Sequence, residues 1–83
     1  MTVKRLIQLL EQFDDENAEV KLMTQQNWPF ENRLLGVCER SDLMHDPEDE
    51  GRLRADQKPD DVFLVEGSQL GYGDKDAWDY LTR

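Results

Sequence analysis

The 83-residue sequence predicts an α+β fold: a small antiparallel sheet of about three strands, with an N-terminal helix and a short C-terminal helix. Three observations predict it. The stretch TVKRLIQLLEQF carries apolar residues at helical spacing, AEVKLMT alternates at the period of a strand, and DVFLV is a short apolar run bounded by turn formers. Packing the helices on one face of the sheet buries both kinds of apolar surface at once.

The elements follow in chain order. In the first helix, Val3, Leu6, Ile7, Leu10 and Phe13 fall on one stripe with Leu9 at its edge, and Lys4, Gln8, Glu11 and Gln12 take the outer side. Thr2 is placed to cap it, because a hydroxyl there can accept from an unpaired amide of the first turn. The polar run DDEN ends the helix. In AEVKLMT, Ala18, Val20 and Leu22 point one way and Glu19 and Lys21 the other. QQNWPF reads as a loop and NRLLGVCER as the second strand, with Gly36 marking a bulge or a close backbone approach. SDLM reads as a short helical turn. Residues 45 to 61, HDPEDEGRLRADQKPDD, hold seven acids and three bases and read as an exposed, mobile loop. After DVFLV, the glycines of EGSQLGYG read as a turn with positive φ, and Asp74 caps a last helix, KDAWDYLTR, in which Trp78 and Leu81 share a face. The expected core is Leu6, Leu10, Val20, Leu22, Phe63 and Val65.

Length and charge bound the function. The chain has room for one domain, residues 1 to 83, with the acidic loop at about 45 to 61. Nineteen acids against ten bases give a net charge of −9, which opposes direct binding of nucleic acid or an anionic membrane and favours a basic protein partner. One cysteine excludes an internal disulfide and fits a cytoplasmic chain. No leader and no membrane span are expected after Met1. The sequence sets no oligomeric state.

Each motif that could carry chemistry meets a specific obstacle. A phosphate-binding loop starting at Gly67 needs glycine at Tyr72, and one starting at Gly71 needs it at Asp76; the dinucleotide fingerprint over Gly71 and Gly73 also requires glycine at Asp76. Asp74, Asp76 and Asp79 would repel a phosphate there. Asp46, Glu48, Glu50 and Gly51 match the opening of a calcium-binding loop, but the twelfth position is Gln57 rather than a bidentate acid. Cys38 and His45 alone cannot complete a zinc site, and a cysteine in a strand is most often a small buried apolar side chain. The expectation is therefore a chain without catalytic residues, cofactor or metal. Candidate partner-binding residues are the acids Asp46, Glu48, Asp49, Glu50, Asp74, Asp76 and Asp79 and the aromatics Trp28, Phe30 and Tyr72. Trp28 and Phe30, which flank Pro29, read first as a cap on the core and second as part of a binding surface.

Three blocks resemble a family of small phage and bacterial mobile-element proteins: MTVKRLIQLLEQFDDENAEVKL, NWPFENRLLGV and VFLVEGSQLGYGDKDAW. Together they cover most of the chain outside residues 42 to 60, and the last block is the more specific. The resemblance carries over no catalytic residue. It implies a cytosolic protein of phage or mobile-element origin. Small acidic proteins of that kind include inhibitors of host nucleic-acid-binding defences, anti-CRISPR proteins and DNA mimics among them. The alternatives are an accessory protein whose charge serves solubility, and a ligand-binding domain built on the Gly67 to Asp74 turn.

Overall fold

The computed structural model describes residues 1 to 83. Helix α1 spans Val3–Glu11, and strands β1 (Lys21–Thr24), β2 (Phe30–Glu39) and β3 (Val62–Tyr72) form one antiparallel sheet in the order β1-β2-β3. Short 3-10 turns occupy Arg40–Leu43, Asp49–Arg52 and Lys75–Asp79. The α+β class is as the sequence predicts; its short C-terminal helix is the last of these 3-10 turns. The contacts of the chain divide into two units, Met1–Leu34 with Glu66–Arg83 and Leu35–Val65.

In the first unit, α1 starts as expected: Thr2 Oγ1 accepts from the Arg5 amide at 3.0 Å. Its apolar residues cover an arc of about 160° at 100° per residue, from Leu9 through Leu6, Leu10 and Val3 to Ile7. Only one end of that arc turns inward. Leu9 is buried and Leu6 half-buried, whereas Val3, Ile7 and Leu10 are 54%, 50% and 44% exposed. The core differs from the expected one. Leu9, read as an edge position, is the only buried apolar residue, and Leu10, Val20 and Val65 are exposed; Leu6, Leu22 and Phe63 are half-buried.

Strand β1 is shorter than the alternation indicates, because Ala18 to Val20 lie outside it. It pairs with the first part of β2, Lys21 opposite Arg33 through Thr24 opposite Phe30. Lys21 reaches Glu31 at 3.8 Å and Arg33 reaches Glu19 at 3.6 Å. Both pairs are exposed and contribute little. On the opposite face of this pairing Leu22, Thr24 and Phe30 are half-buried and Asn32 is buried. Asn32 Nδ2 donates to Glu66 Oε2 at 2.8 Å, and its Oδ1 is buried without a partner.

The glycine segment is not a turn. Strand β3 runs through Gly67 and Gly71 to Tyr72, and no glycine has positive φ. Glycine tolerates extended backbone as readily as it tolerates a turn, so its presence alone did not decide between them. The one left-handed residue is Gln25, φ 58°, in the connection from β1 to β2, where its carbonyl accepts from the Trp28 amide at 2.9 Å. Gly36 is neither crowded nor closely approached, since a Cβ there meets nothing within 4 Å.

Gly73 is different. Its amide donates to Pro29 O at 2.8 Å, and a Cβ would collide with Met23 Sδ and lie 3.2 Å from Pro29 Cβ. Gly73→Ala is expected to cost about 1–3 kcal/mol by forcing Met23 and Pro29 apart. Gly71→Ala, with open space around it, is expected to be neutral or to stabilise by up to about 1 kcal/mol through the unfolded chain. Urea denaturation of the two variants checks the contrast.

In the second unit the long connection from β2 to β3 is closed at its base. The Arg40 amide donates to Asp61 O at 2.8 Å and the Ser41 amide to Pro59 O at 2.9 Å. Arg40 Nε and Nη2 also reach Asp61 Oδ2 at 3.2 and 3.1 Å, and the guanidinium lies 4.9 Å from the Phe63 ring centre. The Lys58 amide, which donates to Asp61 Oδ2 at 3.0 Å, lowers the Asp61 carboxyl below its ordinary pKa, and Arg40 lowers it further. A carboxyl with a depressed folded-state pKa adds stability above the unfolded pKa, about 4, and loses it as pH falls through the lower folded value. Asp61→Asn is therefore expected to flatten the fall in stability below about pH 4, as read from denaturant midpoints at successive pH values.

Candidate binding surface

The features with binding potential begin with the acids picked out in the sequence. Asp49 Oδ2 accepts from the amides of His45 and Asp46, both at 3.0 Å, and Asp46 Oδ1 accepts from the Glu48 amide at 3.0 Å. Arg52 bridges Glu48 at 3.1 Å and Asp49 at 3.3 Å. The short polar side chains thus cap their own turn, a local use that Asp shares with Ser and Asn. Of the residues that matched a calcium loop, Asp46 caps this turn and Glu48 pairs with Arg52, and no three His, Cys, Asp or Glu side chains converge as metal ligands anywhere in the chain. Glu50 is exposed and makes no ion pair. Cys38 is half-buried in β2 and His45 is exposed.

Asp74 caps the last 3-10 turn as expected, its Oδ1 accepting from the Asp76 amide at 2.9 Å; Asp76 and Asp79 are exposed. Trp78 is half-buried and Leu81 is exposed, so they do not form a shared buried face.

The aromatics come together. The Trp28 and Tyr72 rings meet edge to face at 6.3 Å, and Phe30 stacks on Tyr72 at 5.8 Å. Phe30 opens β2 instead of lying in the loop and is half-buried, while Trp28 and Tyr72 are 64% and 74% exposed. Trp28 is therefore a surface ring rather than a cap on the core.

A further concavity lies elsewhere in the first unit and was not singled out from the sequence. It is an open groove of about 690 Å³ between α1 and the segment leading into β1. Ile7, Leu10, Phe13, Ala18 and Val20 supply its apolar surface, and Glu11, Asp15, Glu16 and Glu19 line it with negative charge. Lys21 is the only base among the lining residues, and it is paired with Glu31. The groove exists because α1 turns Leu9 inward and leaves Ile7 and Leu10 outward, while Phe13 and Val20 lie outside regular structure and are 63% and 47% exposed. A sequence signal was available: between Leu6 and Val20 there are five acids and no base.

Compared with known proteins, the chain matches no family model, no curated protein and no solved structure.

No helix is long and apolar enough to cross a membrane. Contiguous apolar surface rimmed by charge is the ordinary mark of a protein-docking site. The groove pairs an apolar floor with a predominantly negative rim, so it complements a segment that is apolar on one side and cationic at its flanks.

Proposed function

We propose that the chain is a protein-binding module without catalytic activity, and that its α1 groove receives a cationic amphipathic segment of a basic partner. One observation carries this reading: Ile7, Leu10, Phe13 and Val20 stand exposed within a rim of four acids. An amphipathic helix laid in such a groove buries its apolar stripe and sets Lys or Arg against the rim. Asp15 accepts from the Asn17 amide and Glu19 pairs with Arg33, as Asp46, Asp49 and Asp74 are held by local bonds, so Glu11 and Glu16 of the rim, with Glu50, Asp76 and Asp79, are the freer negative charge. The Asp61 carboxylate is held by the Lys58 amide and by Arg40 at the base of the β2–β3 connection, a structural role. Blocking a host nucleic-acid-binding protein through its basic surface is the form of this activity that the phage-like blocks imply.

The test uses a fluorescent synthetic peptide of leucine and lysine patterned as an amphipathic helix. Saturable binding is expected, weakening as salt rises because screening shortens the field to about 8 Å at physiological ionic strength. Ile7→Lys is expected to weaken it at least about tenfold, and the combined Glu11→Gln, Glu16→Gln and Glu19→Gln variant to slow association. Absence of saturable binding, or binding indifferent to all of these changes, would refute the groove.

A further inference from the structure

The aromatic cluster of the first unit is held in place from two segments of the chain. Gln25, φ 58°, is the one non-glycine residue in the left-handed region, and its carbonyl accepts from the Trp28 amide at 2.9 Å. Glutamine gains nothing from that conformation by itself, and strained backbone persists only where its surroundings hold it, with binding sites a common place for it. The turn so closed presents Trp28 to solvent, 64% exposed. From the end of β3, the Gly73 amide donates to Pro29 O at 2.8 Å, and Met23 and Pro29 fill the place of a Gly73 side chain. That contact sets Tyr72, the neighbour of Gly73, against Trp28 and Phe30, the neighbours of Pro29. The planes of Trp28 and Tyr72 stand at 85° to each other, and Phe30 stacks on Tyr72. Even in these contacts Tyr72 is 74% exposed, so the rings are assembled and yet open to solvent.

Charge argues for what they take. The face of an aromatic ring carries negative potential and attracts a cation. The segments that carry the rings, Gln25–Phe30 and Gln69–Asp79, hold three acids and one base. Asp74 lies two residues beyond Tyr72, which places its Cα within about 7 Å of the Tyr72 Cα. Its Oδ1 accepts from the Asp76 amide, so the exposed Asp76 belongs to the same turn. A polyanion is repelled there, and net charge −9 adds to the repulsion. Among cations, a guanidinium is flat enough to stack on a ring while its edge donates to a carboxylate, which a rounded ammonium does less well. The chain makes this pairing within its own second unit, where Arg40 lies 4.9 Å from the Phe63 ring centre and bonds Asp61 at 3.1 Å.

We propose that Trp28 and Tyr72, with the carboxylates of Asp74 and Asp76, form a binding site for an arginine side chain of a protein partner. The site shares no residue with the α1 groove, and the proposal stands without the function assigned to that groove.

NMR titration of the full chain with the peptide acetyl-Gly-Arg-Gly-amide tests it, beside a counterpart in which citrulline, a neutral side chain of nearly the same shape, replaces arginine. The expected result is saturable shifts of the Trp28 indole N–H and the Tyr72 ring with the arginine peptide, and binding about tenfold weaker with the citrulline peptide. Added salt is expected to weaken the first and leave the second unchanged. Trp28→Leu is expected to weaken arginine binding about tenfold and Asp76→Asn about threefold, while Ile7→Lys leaves it unchanged. Equal binding of the two peptides overturns the proposal, as does absence of saturable shifts at Trp28 and Tyr72. So does arginine binding that Ile7→Lys abolishes and Trp28→Leu does not, since the cation then sits in the groove. Binding of triproline in preference to the arginine peptide would also overturn it, by making the rings a site for proline. If Trp28→Leu fails to fold, the comparison of the two peptides on the wild type decides.

Discussion

Leu9→Ala is expected to lower stability by about 2–4 kcal/mol, and Leu10→Ala by less than about 1 kcal/mol. The two residues are neighbours on α1 with the same side chain, so helix propensity changes equally in both variants. They differ in environment: Leu9 is buried, and Leu10 is 44% exposed. Removing Leu9 leaves a cavity and loses the transfer free energy of the deleted atoms, whereas removing Leu10 deletes atoms that are largely in water. A chain of this size has only about 4–12 kcal/mol of stability, so the first change is a large part of the total. Urea midpoints of both variants check it, measured at one protein concentration. Equal losses would show that α1 is rotated from the position described.

Asn32→Asp is expected to cost about 3 kcal/mol at neutral pH, in the range found when a charge is buried without a partner. Asn32 is 8% exposed, and its Nδ2 donates to Glu66 Oε2 at 2.8 Å. Replacing the amide with a carboxylate removes that donor and places two negative groups in contact. The introduced carboxyl therefore has a folded-state pKa raised above its unfolded value. Its protonated form is favoured by folding, so the deficit relative to the wild type is largest above the folded pKa and shrinks as pH falls through it. Asn32→Leu separates charge from polarity. It abandons the hydrogen bond but also removes the unpartnered Oδ1, and is expected to cost less than Asn32→Asp. A deficit in Asn32→Asp that does not vary with pH would mean that charge is not its cause.

Much of the fold was legible because its signals are local. The helix, its Thr2 cap, the Asp74 cap and the presence of three strands follow from spacing and short-range hydrogen bonding. What was not legible depends on choices between nearly equal options. The apolar arc of α1 is wide enough that either end can face inward, and spacing alone placed Leu10 where Leu9 belongs. The glycines of β3 are compatible with a turn or a strand, and the alternation of Leu64, Ser68, Leu70 and Tyr72 was obscured by the residues between them. Gln25 takes positive φ with no glycine, asparagine or aspartate to announce it. The groove required knowing that Phe13 and Val20 remain outside the core. Its acids were visible as a run of charge, but a run of charge is ordinarily just a solvated surface.

The exposed apolar surface also has a calorimetric consequence. The heat capacity of unfolding measures apolar surface newly given to water, on average about 12–15 cal/mol/K per residue in globular proteins. In this chain Leu35, Val37, Ile7, Phe13 and Trp28 are already at least half exposed when folded, so each has less to release. The separate chain therefore unfolds with a heat-capacity increment below that average and a shallow dependence on urea, giving a flat stability curve and a broad transition. A partner that covers any of these side chains restores part of both quantities, so a steeper transition in its presence measures how much of that surface it removes from water.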